Sequence, residues 1–320
     1  GGRPHAEREA LDRAGDLALG ATAYITLEPC NHQGQTPPCA NALIEAGIKQ
    51  VFVGFTDPDD RTSGNGIDTL RAAGINAETD FMSDEAANSN KGFFTRVEKG
   101  RPYFPLKTAT TADGKIATKR NDSKWITGDE ARRFGHFLRA THDAVMIGSG
   151  TALADDPDLT CRLPGLSSQR RPRIIIDGRL RLSLSSKLAR STDKAPVWLI
   201  TLKSASTEKI SFYESLGMTI IKVEADKRGH PDLKDWTKEL GLRGLTRILV
   251  EGGSKLAGSL FASNMIDSIA WFRAPKVIGN DGIPAVPALG KKNITDLQQF
   301  HPTLSRTFGQ DRLDIFDITR

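Results

Sequence analysis

Short hydrophobic runs alternate with amphipathic segments through the first part of the chain. The β-prone runs lie at 22–27, 50–55 and 75–79, and the helical patterns lie at 7–19, 39–46 and 67–73. Gly47 and Gly74 follow the second and third helical patterns, which is where a helix commonly ends on glycine. Strands that alternate with helices predict a largely parallel sheet with helices on its faces.

The same alternation resumes beyond Lys99-Gly100-Arg101-Pro102, a charged segment that we predict to be a domain boundary. Strands are predicted at 103–109, 144–147, 173–177, 197–201, 219–223 and 247–251, and helices at 129–140 and 255–263. The runs at 268–274 and 313–318 are expected to add an antiparallel edge. The chain has 320 residues, enough for two α/β domains, which we place at 1–100 and 101–320.

Composition narrows the class of protein. The hydrophobic fraction is 38%, which suits globular cores. No apolar run approaches the roughly 20 residues needed to span a bilayer, and the polar start shows no signal-peptide pattern, so we expect a cytoplasmic protein without a membrane partner. The net charge is +5, but the basic residues are scattered, so we interpret most of this charge as a solvated surface, with a minority of it serving phosphorylated small ligands, and we expect no nucleic acid.

The first candidate chemistry is a set of metal ligands. His5, Cys30 and Cys39 would fill three positions of a tetrahedral zinc site and leave the fourth for water, while Glu7 remains free to move protons. The pattern matches the H-x-E…P-C-x-x-C signature of zinc deaminases, except that eight residues separate the two cysteines. Alternatively, Cys30, Cys39 and Cys161 are buried thiols, or a disulfide plus one spare. The low cysteine content argues against a secreted disulfide scaffold, and we interpret Cys161 as a small packing side chain.

The second candidate is a glycine turn. A predicted strand ends in Glu251, Gly252 and Gly253 follow, and a predicted helix begins. Backbone amides at such a helix start can bind phosphate. The alternative is a tight turn with no ligand, and the sequence pattern alone leaves both interpretations open.

A resemblance to a known family joins these candidates. Residues 27–39, Leu-Glu-Pro-Cys-Asn-His-Gln-Gly-Gln-Thr-Pro-Pro-Cys, resemble the deaminase half of the bifunctional riboflavin-biosynthesis deaminase-reductase family. The stretches 107–115, 125–127, 148–162 and 250–259 resemble its reductase half. The resemblance covers nearly the whole chain. It implies a cytidine-deaminase-like domain followed by a dihydrofolate-reductase-like domain, and no G-x-G-x-x-G motif points to a Rossmann domain.

The resemblance also implies roles for individual residues. It implies one zinc ion held by His5, Cys30 and Cys39, with Glu7 as the catalytic proton carrier and His32 in contact with substrate. It implies an NADPH site formed by Ala109, Trp125, Thr151, Asp155, Gly253, Ser254, Lys255, Leu256, Ala257, Gly258 and Ser259. It implies contacts with the phosphorylated substrate from Lys107, Ser123, Arg139, Leu159, Arg162 and Glu251. The alternatives are a helix-surface charge for Arg139 and a core aromatic for Trp125.

The implied activity has two steps. Zinc-dependent deamination of 2,5-diamino-6-ribosylamino-4(3H)-pyrimidinone 5′-phosphate precedes NADPH-dependent reduction of the ribosyl group to ribityl. The resemblance further implies a homo-oligomer that assembles through the reductase domain. One alternative is a reductase with an inactive deaminase remnant. Another is an RNA deaminase with a basic surface, which the scattered charges and the reductase-like half disfavour.

Two departures from the family pattern qualify the deaminase half. The chain begins directly before His5, so we expect it to lack the N-terminal part of the deaminase domain. Gln35 stands where relatives usually carry Lys or Arg, so we expect weaker binding of the substrate phosphate with zinc binding unaffected.

Overall fold

The computed structural model describes residues 4–33 and 37–319. The chain divides into two compact units, Gly1–Gly100 and Arg101–Arg320. Gln35, for which weaker substrate binding is expected, lies outside the described residues. Within them, no helix combines the length and the apolar character that crossing a membrane requires.

The first unit is built on a parallel sheet with strand order β1-β2-β3. Its strands are β1 (Thr22–Ile25), β2 (Gln50–Val53) and β3 (Asn76–Glu78), and its helices are α1 (Ala6–Ala14), α2 (Cys39–Glu45), α3 (Asn65–Ala72) and α4 (Ser83–Lys99). In register, Thr22 lies opposite Gln50, and Gln50 lies opposite Asn76. The predicted parallel sheet is therefore confirmed.

The core of this unit explains why its elements form where the hydrophobic pattern places them. Val51 and Val53 of β2 are fully buried against Leu43, Ile67 and Leu70, which come from α2 and α3. The helix predicted at 7–19 is shorter than expected, because α1 ends at Ala14 and a 3-10 turn covers Gly15–Ala18. Helix α4 was not predicted, since it buries few apolar side chains.

The second unit contains a sheet with strand order β13-β14-β11-β4-β10-β6-β7-β8-β9 and a small ribbon that pairs β12 with β5. The strands are β4 (Pro105–Thr111), β5 (Lys115–Ala117), β6 (Ala144–Gly148), β7 (Arg173–Ile176), β8 (Val197–Leu202), β9 (Thr219–Val223), β10 (Ile248–Val250), β11 (Ser268–Ala274), β12 (Ile283–Pro284), β13 (Phe300–Phe308) and β14 (Asp311–Ile318). The helices are α5 (Asp129–Ala140), α6 (Ser149–Asp155), α7 (Thr207–Ser215), α8 (Leu233–Leu242) and α9 (Ser254–Ala262).

The predicted antiparallel edge is partly right. Strand β11 runs parallel to β4, and β14 pairs antiparallel with β11, but the outer strand is β13. Nearly all of β13 is exposed, so it shows no hydrophobic alternation, and it contains Pro302, which edge strands tolerate. The sequence pattern therefore did not predict β13.

Strands β4, β10, β6 and β7 are parallel neighbours, so their carboxyl ends lie at one edge of the sheet. The core beneath them includes Phe104, Met146, Ile174 and Trp236, all nearly inaccessible to solvent. Arg101 comes from the predicted boundary segment, but it is not a solvent-exposed residue of a linker. It is buried and donates to both Asp267 carboxylate oxygens, at 2.7 and 2.9 Å.

Candidate active sites

The first candidate site lies where α1, α2 and the loop after β1 meet. His5 is the N-cap residue of α1, Cys39 is the first residue of α2, and Cys30 lies in the loop between β1 and α2. His5 Nδ1 lies 3.3 Å from Cys39 Sγ and 3.7 Å from Cys30 Sγ. The three ligand atoms all lie within 4.8 Å of one another, so the structure brings the predicted metal ligands together.

These separations fit a zinc ion. Tetrahedral zinc, with Zn–N of about 2.0 Å and Zn–S of about 2.3 Å, holds its nitrogen and sulfur ligands about 3.5 Å apart. The backbone amide of Cys39 also donates to Cys30 Sγ at 3.4 Å, which orients that sulfur. Three protein ligands leave one tetrahedral position for water, the arrangement of a catalytic zinc site.

The charges of the cluster also favour a bound cation, because a carboxylate lies beside the two cysteine thiols. Burial, the Glu7 carboxylate and Cys30 together raise the pKa of the Cys39 thiol well above its usual range. Glu7 Oε2 lies only 3.6 Å from Cys39 Sγ and accepts a hydrogen bond from the thiol. A metal ion reverses this preference, because a coordinating thiol loses its proton. Glu7 thus lies beside the candidate metal ligands, in hydrogen-bond contact with Cys39, and is not one of the three.

A buried carboxylate that the sequence analysis did not select supports the loop that carries Cys30. Glu28 is 3% exposed and accepts four backbone N–H groups. The donors are Asp57 at 3.1 Å, Gly64 at 2.8 Å, Gly66 at 2.8 Å and Ile67 at 3.2 Å. Its position directly after a strand and just before Pro-Cys was the available signal. Glu28 therefore fixes the chain immediately before a predicted metal ligand to the start of α3.

Gly66 allows this close packing. A Cβ atom there would lie 2.0 Å from the Pro29 carbonyl oxygen, far inside van der Waals contact. Any side chain at position 66 would push the loop away from α3. The backbone next to Cys30 is thus held by close packing as well as by hydrogen bonds.

Two buried polar atoms next to the metal ligands have no partner among the described residues. They are His32 Nδ1 and Asn31 Oδ1. A buried polar atom without a partner is costly, so a water, an ion or a ligand is expected beside each of them. His32 was selected for substrate contact, and Asn31 was not.

The second candidate site is centred on Glu251, the residue that follows β10. Arg139, in the last turn of α5, donates from Nε and Nη2 to the two Glu251 oxygens at 2.6 and 2.9 Å. Lys107 of β4 places Nζ 3.8 Å from Glu251 Oε2. The structure thus joins three predicted substrate residues, and Arg139 is no free surface charge, since its side chain is only 17% exposed.

Burial and charge act in opposite directions within this group. Burial opposes ionisation of Glu251, but Arg139 and Lys107 together hold its pKa at about 2. Burial, reinforced by Arg139 and partly offset by Glu251, lowers the pKa of the Lys107 ammonium. Near neutral pH the site therefore holds a carboxylate, a guanidinium and a lysine that gives up its proton more readily than a solvated one.

The segment after α6 packs against α5 beside this group. Arg139 Nη1 donates to the Thr160 carbonyl at 3.0 Å, and Arg162 N donates to His136 Nδ1 at 3.3 Å. Burial and the neighbouring arginines lower the pKa of His136 to about 4, so its imidazole is neutral and can accept that bond. His136 was not predicted, although it stands three residues before Arg139 on a predicted helix. Leu159 is buried, whereas the Arg162 side chain is 59% exposed and only 3.7 Å from Asp158.

The glycine turn is tied to α6. The Gly253 amide donates to Thr151 Oγ1 at 3.0 Å, which joins two residues predicted to bind NADPH. Helix α9 begins at Ser254 with no side chain capping its first turn, so its free amides suit a pyrophosphate. A Cβ at Gly252 would lie 2.8 Å from Leu256 Cδ2 and 3.0 Å from its Cβ, so a larger residue there would require the Leu256 side chain to move. The turn thus fits the phosphate-bearing part of NADPH.

The remaining predicted cofactor residues do not all face this turn. Ala257 is buried, Gly258 packs against Pro287, and Ser259 Oγ bonds the Lys255 carbonyl on the exposed side of α9. In these contacts, none of the three residues faces a ligand bound at the turn.

Trp125 and its neighbours lie on exposed surface. The indole is 62% exposed, with the Arg132 guanidinium 4.5 Å from the ring centroid, so Trp125 is not a core aromatic. Burial raises the pKa of Asp155, at the end of α6, and the positive charge of Lys124 partly offsets this rise. The end of α6 therefore lies near the 123–125 loop, which contains Ser123. Ala109 lies in β4 opposite Phe272.

Comparison with known proteins finds two family models, one that matches part of each unit. The family model "Cytidine and deoxycytidylate deaminase zinc-binding region" matches residues 2–55. The family model "RibD C-terminal domain" matches residues 102–312. The zinc ligands and Glu7 lie in the first match, and the Glu251 group and the glycine turn lie in the second.

Curated relatives cover almost the whole chain. Riboflavin biosynthesis protein RibD of Aquifex aeolicus is 38% identical over 316 residues, which is 98% of this chain and 85% of that protein. The RibD protein of Escherichia coli is 38% identical over 323 residues, 97% of this chain and 85% of that protein.

Solved structures give the same match. RibD of Acinetobacter baumannii superposes with a TM-score of 0.85 at 31% identity, covering 99% of this chain and 86% of that one. A diaminohydroxyphosphoribosylaminopyrimidine deaminase/5-amino-6-(5-phosphoribosylamino)uracil reductase from Thermotoga maritima superposes with a TM-score of 0.81 at 32% identity, with the same coverage. The fold is thus a cytidine-deaminase-like domain followed by a dihydrofolate-reductase-like domain, with zinc and NADPH as cofactors. The chain belongs to the RibD family of bifunctional riboflavin biosynthesis enzymes.

Proposed function

We propose that the chain carries out two successive steps of riboflavin biosynthesis, one in each unit. Gly1–Gly100 deaminates 2,5-diamino-6-ribosylamino-4(3H)-pyrimidinone 5′-phosphate, and Arg101–Arg320 reduces the ribosyl group of 5-amino-6-(5-phosphoribosylamino)uracil. The observation that carries the proposal is the convergence of His5, Cys30 and Cys39 within 4.8 Å, with Glu7 beside them.

In the first unit, the protein's own groups hold the metal and move protons. His5 Nδ1 and the sulfurs of Cys30 and Cys39 bind zinc, which supplies the Lewis acidity that makes water nucleophilic near neutral pH. Glu7 Oε2 takes the protons of the attacking water and delivers one to the ring nitrogen and one to the amino group, which leaves as ammonia. The free polar atoms of Asn31 and His32 bind the pyrimidinone.

In the second unit, the protein positions the sugar and supplies a proton. When bound, NADPH would supply the hydride for C1 of the ribosyl group. Lys107 Nζ donates the proton that the departing ring oxygen takes up, which its lowered pKa favours. Glu251, held by Arg139, keeps the lysine in place as its counter-ion, and the lysine takes a new proton from solvent after the transfer.

The substrate phosphate is assigned chiefly to Arg162. Arg139 already uses Nε and both terminal nitrogens on Glu251 and Thr160. The Arg162 guanidinium is more exposed and only loosely paired with Asp158, so it can turn to a phosphate. Ser123 and the backbone at Leu159 complete the predicted contacts.

The test measures both activities on one preparation of the whole chain. We expect about one zinc per chain, ammonia release from the diaminopyrimidinone substrate, and NADPH oxidation once the deaminated product forms. A different result would support a reductase with an inactive deaminase remnant. In that case the chain binds zinc and oxidises NADPH when 5-amino-6-(5-phosphoribosylamino)uracil is supplied, but it releases no ammonia. Absence of NADPH oxidation would contradict the proposed reductase.

We further propose that the protein is cytoplasmic and forms a homo-oligomer through its second unit. Cys30, Cys39 and Cys161 are free thiols, which suits a reducing compartment. Strand β13 offers an exposed sheet edge that a second copy could cover. Light scattering after size exclusion gives the mass, and a monomer at micromolar concentration would contradict the assembly.

A further inference from the structure

The segment that carries Arg162 has no regular structure of its own. Residues 157–162, which follow α6, belong to neither a helix nor a strand. Within them, Leu159 has a left-handed backbone with a φ of 57°, which is uncommon for a residue other than glycine. Because the backbone groups of this segment do not pair in a helix or a sheet, other bonds must hold it in place.

Two carbonyl groups of the segment accept hydrogen bonds from arginine side chains. Arg173 Nη1 donates to the Asp158 carbonyl at 3.2 Å. Arg139 Nη1 donates to the Thr160 carbonyl at 3.0 Å. These two bonds fix the middle of the segment, and a third bond is made at Arg162 itself.

His136 makes the third bond through its ring. Its Nδ1 lies 3.3 Å from the Arg162 amide nitrogen and 3.2 Å from the Thr160 carbonyl oxygen. A main-chain N–H can only donate, so Nδ1 must accept there, whereas a bond to the carbonyl would need a proton on Nδ1. The Thr160 carbonyl already accepts from Arg139, so the arrangement favours the tautomer with its proton on Nε2 and with Nδ1 as the acceptor.

The surroundings of the ring keep it in this state. Burial, with the positive charges of Arg139 and Arg162, lowers the pKa of His136 to about 4. The Glu251 carboxylate offsets this only in part. A protonated ring could no longer accept the Arg162 amide, because both of its nitrogens would be donors. Near neutral pH the ring is therefore an acceptor.

A fixed main chain matters at Arg162 because its side chain is mostly exposed. The side chain is 59% exposed, and its Nη1 lies 3.7 Å from Asp158 Oδ2, which is too far for a hydrogen bond. Ordering such a long side chain around a ligand costs conformational entropy. This cost falls when the backbone that carries the side chain is already held in place.

We infer that His136 is a positioning residue for the reductase substrate: its Nδ1 fixes the main chain from which Arg162 reaches the substrate phosphate. This inference rests on the proposed reductase function and on the assignment of the phosphate to Arg162. The hydride and the proton are transferred by other groups. Loss of the His136 ring should therefore weaken substrate binding and leave the chemical step intact.

The experiment separates binding of the uracil substrate from turnover. NADPH oxidation by the whole chain is measured with 5-amino-6-(5-phosphoribosylamino)uracil, in the wild type and in His136→Leu, which removes the acceptor. KM for the uracil substrate should rise about fivefold, as expected for one lost hydrogen bond, while kcat and KM for NADPH stay unchanged. His136→Asn should restore most of the binding, because its side-chain oxygen can accept where Nδ1 did. Arg133→Gln, exposed on the same helix, is the matched control.

A double variant tests whether the effect passes through Arg162. Arg162→Gln alone should raise KM for the uracil substrate by about tenfold, because a charge-assisted contact with the phosphate is lost. Adding His136→Leu to this variant should raise KM little further, since the contact that depends on the fixed main chain is already gone.

Three results would overturn the role of His136 alone. An unchanged KM in His136→Leu would mean that the segment is held without the ring. Equal losses of kcat and of NADPH binding, which His136→Asn does not repair, would mean that His136 only supports the fold. The full effect of His136→Leu in the Arg162→Gln background would mean that the ring acts on the substrate by another route.

Two further results would overturn the inference together with its basis. An unchanged KM in Arg162→Gln would show that the phosphate is bound by another group. Absence of NADPH oxidation by the unaltered chain would contradict the proposed reductase. Each of these failures is thus distinguishable from a failure of His136.

Discussion

The two candidate sites manage their charges in opposite ways. In the first unit, Glu7, Cys30 and Cys39 converge, and their mutual repulsion contributes to the raised pKa of the Cys39 thiol. In the second unit, Arg139 and Lys107 neutralise Glu251 and lower its pKa to about 2. The first cluster needs an external cation, whereas the second is complete as a polypeptide. Metal dependence should therefore be confined to one activity of the chain.

The largest expected effect is on the metal cluster. Cys39→Ser should remove stoichiometric zinc and all measurable ammonia release, because the remaining ligands no longer complete the tetrahedron. NADPH oxidation with supplied uracil substrate should be unchanged. Metal analysis and the two assays on one preparation test this, with Cys161→Ser as the control that keeps its zinc. Parallel loss of NADPH oxidation would break the comparison.

Replacing the proton carrier should separate chemistry from metal binding. Glu7→Gln keeps a similar shape but cannot move protons, so ammonia release should fall by about 10²–10⁴-fold with zinc retained. Glu9→Gln, on the same helix and paired with Arg13 on the surface, is the matched control. Ammonia release near the wild-type rate in Glu7→Gln would remove Glu7 from the mechanism.

Removing the central carboxylate should unbalance the second site. Glu251→Gln leaves Arg139 and Lys107 without their anion, so the lysine pKa should fall further and proton delivery should fail. We expect NADPH oxidation to decrease by about 10²-fold or more, while NADPH affinity and ammonia release persist. Glu239→Gln, an exposed carboxylate paired with Arg243, should leave NADPH oxidation intact. A loss confined to NADPH affinity would contradict this role.

A smaller effect is expected from pH. Burial lowers the pKa of His142 to about 4. Burial, together with the charges of Arg139 and Arg162, also lowers the pKa of His136 to about 4. The unfolded chain binds protons at these histidines more readily, so the second unit should lose stability as pH falls from about 6.5 to about 4, by about 1–3 kcal/mol.

Tryptophan fluorescence can follow this unit alone, because all four tryptophans lie beyond residue 100. Urea unfolding at several pH values measures the effect, and His142→Gln should flatten the profile. If the free energy of unfolding does not change between pH 7 and pH 5, the two histidines do not cause the expected loss of stability. The same conclusion follows if His142→Gln leaves the pH dependence unaltered.

The sequence predicted those features that depend on local pattern. Buried strands such as β2 and β7 and the amphipathic helix α5 have strong periodicity, and all three were predicted close to their observed bounds. Strand β13 is exposed along most of its length, so burial leaves no mark on its sequence. Helices α4, α6, α7 and α8 were missed as well.

The sites divide in the same way. The zinc ligands carry a recognisable spacing, so residue type and order were enough to select them. The pairing of Arg139 with Glu251 joins residues 112 positions apart, and no periodicity encodes it. Glu28 was passed over because a carboxylate before Pro-Cys looks solvent-exposed until the amides of Gly64, Gly66 and Ile67 are seen around it.

The hydrogen bonds of Glu28 also bear on how the enzyme acquires its metal. Four backbone amides hold this carboxylate without any contribution from an ion, so the chain next to Cys30 is already ordered in the metal-free protein. A zinc finger, in contrast, folds only as its ligands close on the metal. Zinc uptake should therefore require three side chains to close on the ion, with the backbone next to Cys30 already held in place by Glu28.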